Sequence, residues 1–286
     1  MAWHVRGIHA SHRLQPGDLI ERSPVVVLAG HDRTHLVHTA VAPFLFGWGH
    51  RFEFAALGLG SLCRYEVGPQ PNARIEPDAA TRTLAIIATA AILPGSRIVL
   101  ASRGLPEVEG PPPGPLPCQQ SEFPMAAEAN ETALIDWLAP RVAPHVTPHV
   151  ALPMATPHDG PACPVAIAHL AGKGRGMVAA RDLPAHALIE RAPVIAFPVE
   201  HWEALDRTAL TDYPFLWDPA GDGGALALGY VSLYNHAYQP NAMYDKEYDR
   251  GAMVIRTLRA VAAGEELTVN YNWEPDDATP VWFDAR

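Results

Sequence analysis

The chain has 286 residues, 48% of them hydrophobic, and a net charge of −10. That length and apolar content suit one or two globular domains with buried cores, while the acidic balance argues against a direct nucleic-acid binder, which needs clustered Lys and Arg. No uncharged apolar run of about 18 residues occurs, and the start MAWHVRGIHASHRL lacks a signal-peptide core, so a cytoplasmic protein outside the membrane is expected.

The three cysteines, Cys63, Cys118 and Cys163, are widely spaced and suggest neither a disulfide framework nor a thiolate zinc site. Charge is unevenly spread. Residues 1–103 carry 10 basic and 7 acidic side chains, residues 165–286 carry 10 and 17. An acidic second half would favour basic ligands or peptides through its long-range field, although a solvated acidic surface is the commoner reason for such a balance.

In chain order, RGIHASHRLQPGDLIERSPVVVL from Arg6 reads as short strands separated by turn residues. It aligns without a gap on RGMVAARDLPAHALIERAPVIAF from Arg175, and the common LIERxPV block sits at an offset of 169 residues. SLCRYEVGPQPNARI from Ser61 then meets SLYNHAYQPNAMY from Ser232, with two extra residues in the first copy, and LPGSRIVLAS answers AAGEELTVNY. Such a match reads as an internal duplication.

Residues 104–164 hold 14 prolines, a composition that forms neither a long helix nor an interior strand. This segment is expected to be a linker. Within it AAEANETALIDWLAP has helical spacing at Leu134, Trp137 and Leu138 and stops before Pro140, which predicts one short helix. His145 and His149 in PHVTPH have a metal-like spacing but stand alone in a proline-rich loop, so no metal is expected.

The second copy, 165–286, has β-branched or alternating runs at 188–196, 252–258 and 266–271, and a helical pattern mainly at 199–210. The expected architecture is α+β and β-rich: two modules of short curved sheets, 1–103 and 165–286, joined by the linker.

Three blocks of the second copy stand in a fixed order: Gly174-Arg175-Gly176, then Asn235-His236 with Pro240-Asn241, then GEELTVNY ending at Tyr271. Singly, a Gly-x-Gly is an ordinary turn, an Asn-His a satisfied core pair and a strand-end Tyr common packing. Together they resemble the SET domain, the fold of S-adenosylmethionine-dependent protein lysine methyltransferases. The motifs of that family are Gly-x-Gly, Asn-His-Ser-Cys-x-Pro-Asn and Gly-Glu-Glu-Leu-Thr-x-x-Tyr; here Ala237 and Tyr238 replace the Ser and Cys. The resemblance implies S-adenosylmethionine as cofactor, Asn235 and His236 among its contacts, and a knot-like crossing of the Asn-His segment with the one ending at Tyr271.

Residue chemistry is compatible with those roles. Gly174 and Gly176 allow close backbone approach to the methionine end of the cofactor, with Arg175 near its carboxylate. Asn235 both donates and accepts, which suits an ammonium, and His236 is placed by the adenine. Tyr271 is the expected catalytic residue, orienting amine and methyl by its phenol as the matching family tyrosine does. Tyr213, Tyr230 and Tyr244 are candidate substrate-channel aromatics and Trp273 a candidate adenine-stacking contact, each also explicable as core packing. Asn241 reads as a turn-former after Pro240. Family members often close the site with a cysteine-rich zinc segment, but NWEPDDATPVWFDAR has no cysteine. Trp273, Trp282 and Phe283 are left as an apolar cover or as a docked tail.

The first copy has Val5, Arg64-Tyr65 and Ser102 where the second has Gly174, Asn235-His236 and Tyr271. It is expected to be a degenerate SET-like module that packs intramolecularly on the second copy and supports it. The leading expectation is methyl transfer to a lysine of a basic protein substrate. The alternative is a catalytically silent interaction module that holds a basic partner.

Overall fold

A computed structural model describes residues 8–48, 52–65, 70–78, 81–100, 164–217 and 222–283. The linker helix expected from Ala126, the pair His145 and His149, and the positions Val5 and Ser102 lie outside these residues.

Among its described residues the first module has seven strands: β1 (Leu19–Leu28), β2 (Leu45–Trp48), β3 (Phe52–Ala56), β4 (Arg64–Tyr65), β5 (Ala73–Asp78), β6 (Thr83–Ala88) and β7 (Val99–Leu100), with one short helix, α1 (Asp32–Leu36), after β1. The second has β8 (Val165–Leu170), β9 (Gly174–Ala179), β10 (Leu188–Phe197), β11 (Pro214–Leu216), β12 (Gly224–Ala227), β13 (Asn235–His236), β14 (Ala242–Glu247), β15 (Ala252–Thr257) and β16 (Glu266–Val269), with α2 (Trp202–Asp206) after β10. The helical pattern at 199–210 resolves into a 3-10 turn, Val199–His201, that runs into α2. The fold is β-rich α+β, and none of the described helices is long and apolar enough to cross a membrane.

Strand order is β2-β3-β1-β6-β5-β7-β4 in the first module; the second splits into β11-β12-β10-β15-β14 and β13-β16-β9-β8. Both long strands change neighbours at a proline. Residues 19–24 of β1 pair with β6, and Val25 to Leu28 pair with β3. Residues 188–193 of β10 pair with β15, and Val194 to Phe197 pair with β12. Pro24 and Pro193 stand at the changeover, where a missing N–H costs least, and their carbonyls accept the amides of Leu57 and Leu228 at 2.9 Å each. A register shift falls between Leu19 and Glu21 in β1 and between Leu188 and Glu190 in β10, which bends each strand at the same place in LIER.

The second module's own core gathers Met177, Ala192, Tyr230, Tyr234, Tyr244, Ile255 and Leu267. Another buried cluster draws on both modules: Val26, Leu28, Leu36, Val41, Ala55 and Leu57 with Ile195, Phe197, Leu205, Leu210, Leu226 and Leu228. Two polar contacts flank it. Ala209 N–H donates to Asp32 Oδ2 and Ala40 N–H to His201 Nδ1, both at 3.2 Å. Burial holds the His201 pKa below its ordinary value, which keeps that ring a neutral acceptor.

Candidate active site

The two-residue strand β13 runs parallel to β16, with Asn235 opposite Thr268 and His236 opposite Val269. β16 in turn lies antiparallel to β9, with Leu267 opposite Met177. Sheet pairing therefore sets the Asn-His pair, the GEELTV strand and the Gly-x-Gly strand side by side. Asn241 locks the middle of this arrangement: its Oδ1 accepts Thr268 N–H at 2.9 Å and its Nδ2 donates to the Glu266 carbonyl at 2.7 Å.

Gly174 has φ +80°, a left-handed conformation that L side chains rarely adopt. At Gly176 a Cβ would come within 2.5 Å of both Asn235 Nδ2 and Leu170 Cδ1, so a larger residue there would have to displace the ends of these two side chains where the Asn-His segment closes on β9. Asn235 Nδ2 donates to Glu266 Oε1 at 3.0 Å, and the other oxygen of Glu266 meets Lys173 Nζ at 2.8 Å. The amide is thereby oriented with its Oδ1 as the acceptor left for other partners.

His236 is buried, and its Nδ1 accepts the peptide N–H of Tyr271 at 3.1 Å. That bond places the ring proton on Nε2, a buried atom with no hydrogen-bond partner. An orphaned donor of this kind suits a ligand with an acceptor of its own. Burial also lowers the His236 pKa, so the ring is neutral.

Tyr271 O–H donates to the Tyr234 carbonyl at 3.0 Å, and Tyr244 O–H donates to the Tyr271 carbonyl at 3.4 Å. Burial first, then the negative charge of Asp212 and the neighbouring Tyr213 and Glu266, pushes the Tyr271 pKa up to about 12. Tyr271 therefore remains a phenol at neutral pH, able to orient by hydrogen bonding and unable to act as a phenolate base. Around it, Tyr238 and Phe283 meet the His236 ring edge-on at 4.5 and 6.0 Å between centroids, and Trp282 stacks on Tyr271 at 6.0 Å.

The remaining candidates are spread around this centre. The Tyr213 hydroxyl receives Arg175 at 3.3 Å, and Tyr244 packs edge-on against Phe215 at 5.3 Å. Tyr230 is buried and donates its hydroxyl to the Arg22 carbonyl of the first module at 3.2 Å, and Trp273 lies under the Lys246 ammonium, 4.2 Å from the ring centroid. Motif reading passed over Lys173, Tyr238, Asn270 and Asn272. The last two hold the tail across the site by donating to the carbonyls of Asp277 and Thr279 at 2.7 Å, and Tyr238 accepts the amide of Val281 at 3.1 Å. Their one sequence signal was an asparagine on either side of Tyr271. Among the described residues no three His, Cys, Asp or Glu side chains cluster as metal ligands would.

The family model for the SET domain matches residues 174–272. A Schizosaccharomyces pombe protein, histone-lysine N-methyltransferase, H3 lysine-37 specific, is 34% identical over 120 residues, which cover 41% of this chain and 80% of that relative. The chain belongs to the SET-domain family. Among solved structures, a Plasmodium falciparum protein named as a candidate histone methyltransferase matches at 22% identity and TM-score 0.29, covering 37% of this chain and 91% of that one. The ctPRC2 assembly in an autoinhibited conformation bound to S-adenosylmethionine matches at 19% identity and TM-score 0.33, covering 37% of this chain and 15% of that one.

This SET protein is an S-adenosylmethionine-dependent lysine methyltransferase. When bound, the cofactor supplies the electrophilic methyl group. The residues present fit it: a backbone cradle at Gly174 and Gly176, an oriented amide at Asn235 and an unfilled donor at His236 Nε2.

Proposed function

We propose that the second module methylates a lysine within a basic protein segment, with Gly174, Arg175, Gly176, Asn235 and His236 holding the cofactor and Tyr271 aligning the amine. The observation that carries this reading is the joint anchoring of Tyr271, by its peptide N–H on His236 and its hydroxyl on the Tyr234 carbonyl. A phenol fixed at both ends orients an incoming amine without moving. Methyl transfer is an in-line displacement, so alignment to about 3–3.5 Å is most of what the protein must provide. The amine must also be neutral. At pH 7 an ordinary lysine, of pKa about 10.4, is neutral in roughly one molecule in 2,500, a penalty of about 4.6 kcal/mol. Tyr213 and Tyr244, placed around the amine, favour its neutral form by excluding water.

The acidic second half, and a relative whose name specifies histone H3, favour a basic, histone-like tail as the substrate. The first module is a degenerate copy of the second, packed on it as one half of a dimer packs on the other. Supporting this are equivalent strand pairings in the two halves, Val25 with Ala56 and Val194 with Ala227, and the buried cluster to which both contribute.

Calorimetric titration with S-adenosylmethionine, followed by incubation with labelled cofactor and histone H3, tests the proposal. Wild type is expected to bind and to label the histone, and Asn235→Ala to lose most of the heat. Binding without transfer to any added protein would favour the silent interaction module.

A further inference from the structure

Three main-chain carbonyls of the first module reach residues that frame the methyl-transfer site in the second. The Arg22 carbonyl accepts the Tyr230 hydroxyl at 3.2 Å, the Leu57 carbonyl accepts Gly229 N–H, and the Arg82 carbonyl accepts the Arg175 guanidinium at 3.3 Å. Another nitrogen of that guanidinium donates to the Tyr213 hydroxyl, also at 3.3 Å. Each recipient has a place in the site. Arg175 lies between the two glycines of β9, and Gly229 and Tyr230 lead into the 3-10 turn Val231–Leu233 that delivers Tyr234, Asn235 and His236.

All three carbonyls are held by the first module's own ladders. Arg22 pairs with Ala85 in β6, and Leu57 donates its N–H to the Pro24 carbonyl at 2.9 Å. Arg82 has φ +51°, and its carbonyl also accepts the amide of Val25 at 3.0 Å. On the receiving side Gly229 has φ +83°, and a Cβ there would fall 1.9 Å from Glu190 Oε1, so the join is closed to other residues.

We infer that the first module is a positioning element of the methyl-transfer site, acting through the carbonyls of Arg22, Leu57 and Arg82 on Tyr230, Gly229 and Arg175. This rests on the cofactor placement proposed above. Main-chain acceptors explain how a module can lose the Asn-His pair and still serve: a carbonyl keeps its place as long as the strands pair, whatever the side chains become. The Gly-x-Gly arginine and the lead-in to Asn235 are set from outside the module that contains them. The preorganisation that results favours cofactor binding by removing alternative conformers of both segments.

The test uses the full-length chain, with S-adenosylmethionine affinity measured by calorimetry and folding followed by circular dichroism. Proline, with φ near −65°, cannot take the Arg82 conformation, whereas asparagine tolerates it. Arg82→Pro is expected to weaken cofactor binding about 10-fold while staying folded at the assay temperature, with Arg82→Asn within about 2-fold of wild type. Tyr230→Phe, which removes one hydroxyl, is expected to weaken binding about 3-fold and decides the question if Arg82→Pro does not fold. A purely structural role would lower the melting temperature of these variants without changing affinity below it. Wild-type affinity in every folded variant overturns the inference and leaves the cofactor reading intact; a wild type that takes up no cofactor removes both.

Discussion

The peptide N–H of Tyr271 donates to Nδ1 of His236 across 3.1 Å, joining the last residue of the GEELTVNY block to the Asn-His pair 35 positions earlier. This bond needs a neutral imidazole, and burial depresses the His236 pKa below its ordinary 6.5. The sign follows from linkage. Above about pH 6.5 both folded and unfolded rings are neutral and the bond is intact; as pH falls below that value the unfolded ring takes up a proton first, so stability declines. S-adenosylmethionine affinity is expected to be flat from about pH 7 to 8.5 and to fall only on the acid side of 6.5, as the folded ring takes up its proton. His236→Asn, whose Oδ1 can accept from Tyr271 without titrating, should lose that acid limb in calorimetric titrations at matched pH. An unchanged limb would show that some other group carries it.

Much of the fold was legible because strand patterns and repeat spacing are local. The LIERxPV run, read as a strand at 188–196, is β10 almost residue for residue, and the runs at 252–258 and 266–271 contain β15 and β16. Distant polar partners were not legible. Asn241 reads as a turn-former after Pro240, yet its side chain bridges to Glu266 and Thr268; Asn72 of the first module does the same with the Arg97 carbonyl and the Val99 amide. Pattern reading detects the bend but not the strand that comes to rest beside it. For the same reason Tyr230 read as a channel aromatic: nothing within its own segment reveals that its hydroxyl meets the Arg22 carbonyl.

Tyr271→Phe separates alignment from binding. The variant loses the hydroxyl that donates to the Tyr234 carbonyl but keeps its ring and its peptide bond to His236. Turnover is expected to fall on the order of 10²-fold, with cofactor affinity within about 2-fold of wild type. With the Tyr271 pKa near 12, the wild-type rate should rise with pH as the substrate lysine deprotonates, showing no tyrosine ionisation below about pH 11. Single-turnover rates across pH 7–10 check both points; a phenylalanine variant at full speed would remove Tyr271 from catalysis.

Gly176→Ala tests the closeness of β9 and β13. The added Cβ would press on the Asn235 amide and the Leu170 side chain, both at 2.5 Å; the Leu170 methyl can turn away, but the Asn235 amide moves only at the expense of its bond to Glu266. A loss of cofactor affinity of about 10-fold or more is expected, together with a destabilisation of about 1–3 kcal/mol from overpacking. Gly264→Ala is a control of a different kind: it has φ +83° and open space around it, so it should cost stability without touching cofactor affinity. Equal affinity losses in the two variants would mean that general loosening, and not contact with Asn235, is being measured.

Leu36 and Leu205 follow equivalent long strands, on α1 and α2, and both are fully buried in the cluster that joins the modules. Each sits where its neighbours come from both halves of the chain, so truncation opens a cavity at the join and not within one module. Leu36→Ala and Leu205→Ala are each expected to cost about 2–5 kcal/mol. Because the cluster is continuous, wild type and both variants should unfold in a single cooperative transition by both fluorescence and circular dichroism. Two separated transitions in wild type would show that the modules fold independently, and would also weaken the case for positioning of Arg175 by the Arg82 carbonyl. A single transition shifted downward by similar amounts in the two variants would show that each module contributes to one shared core.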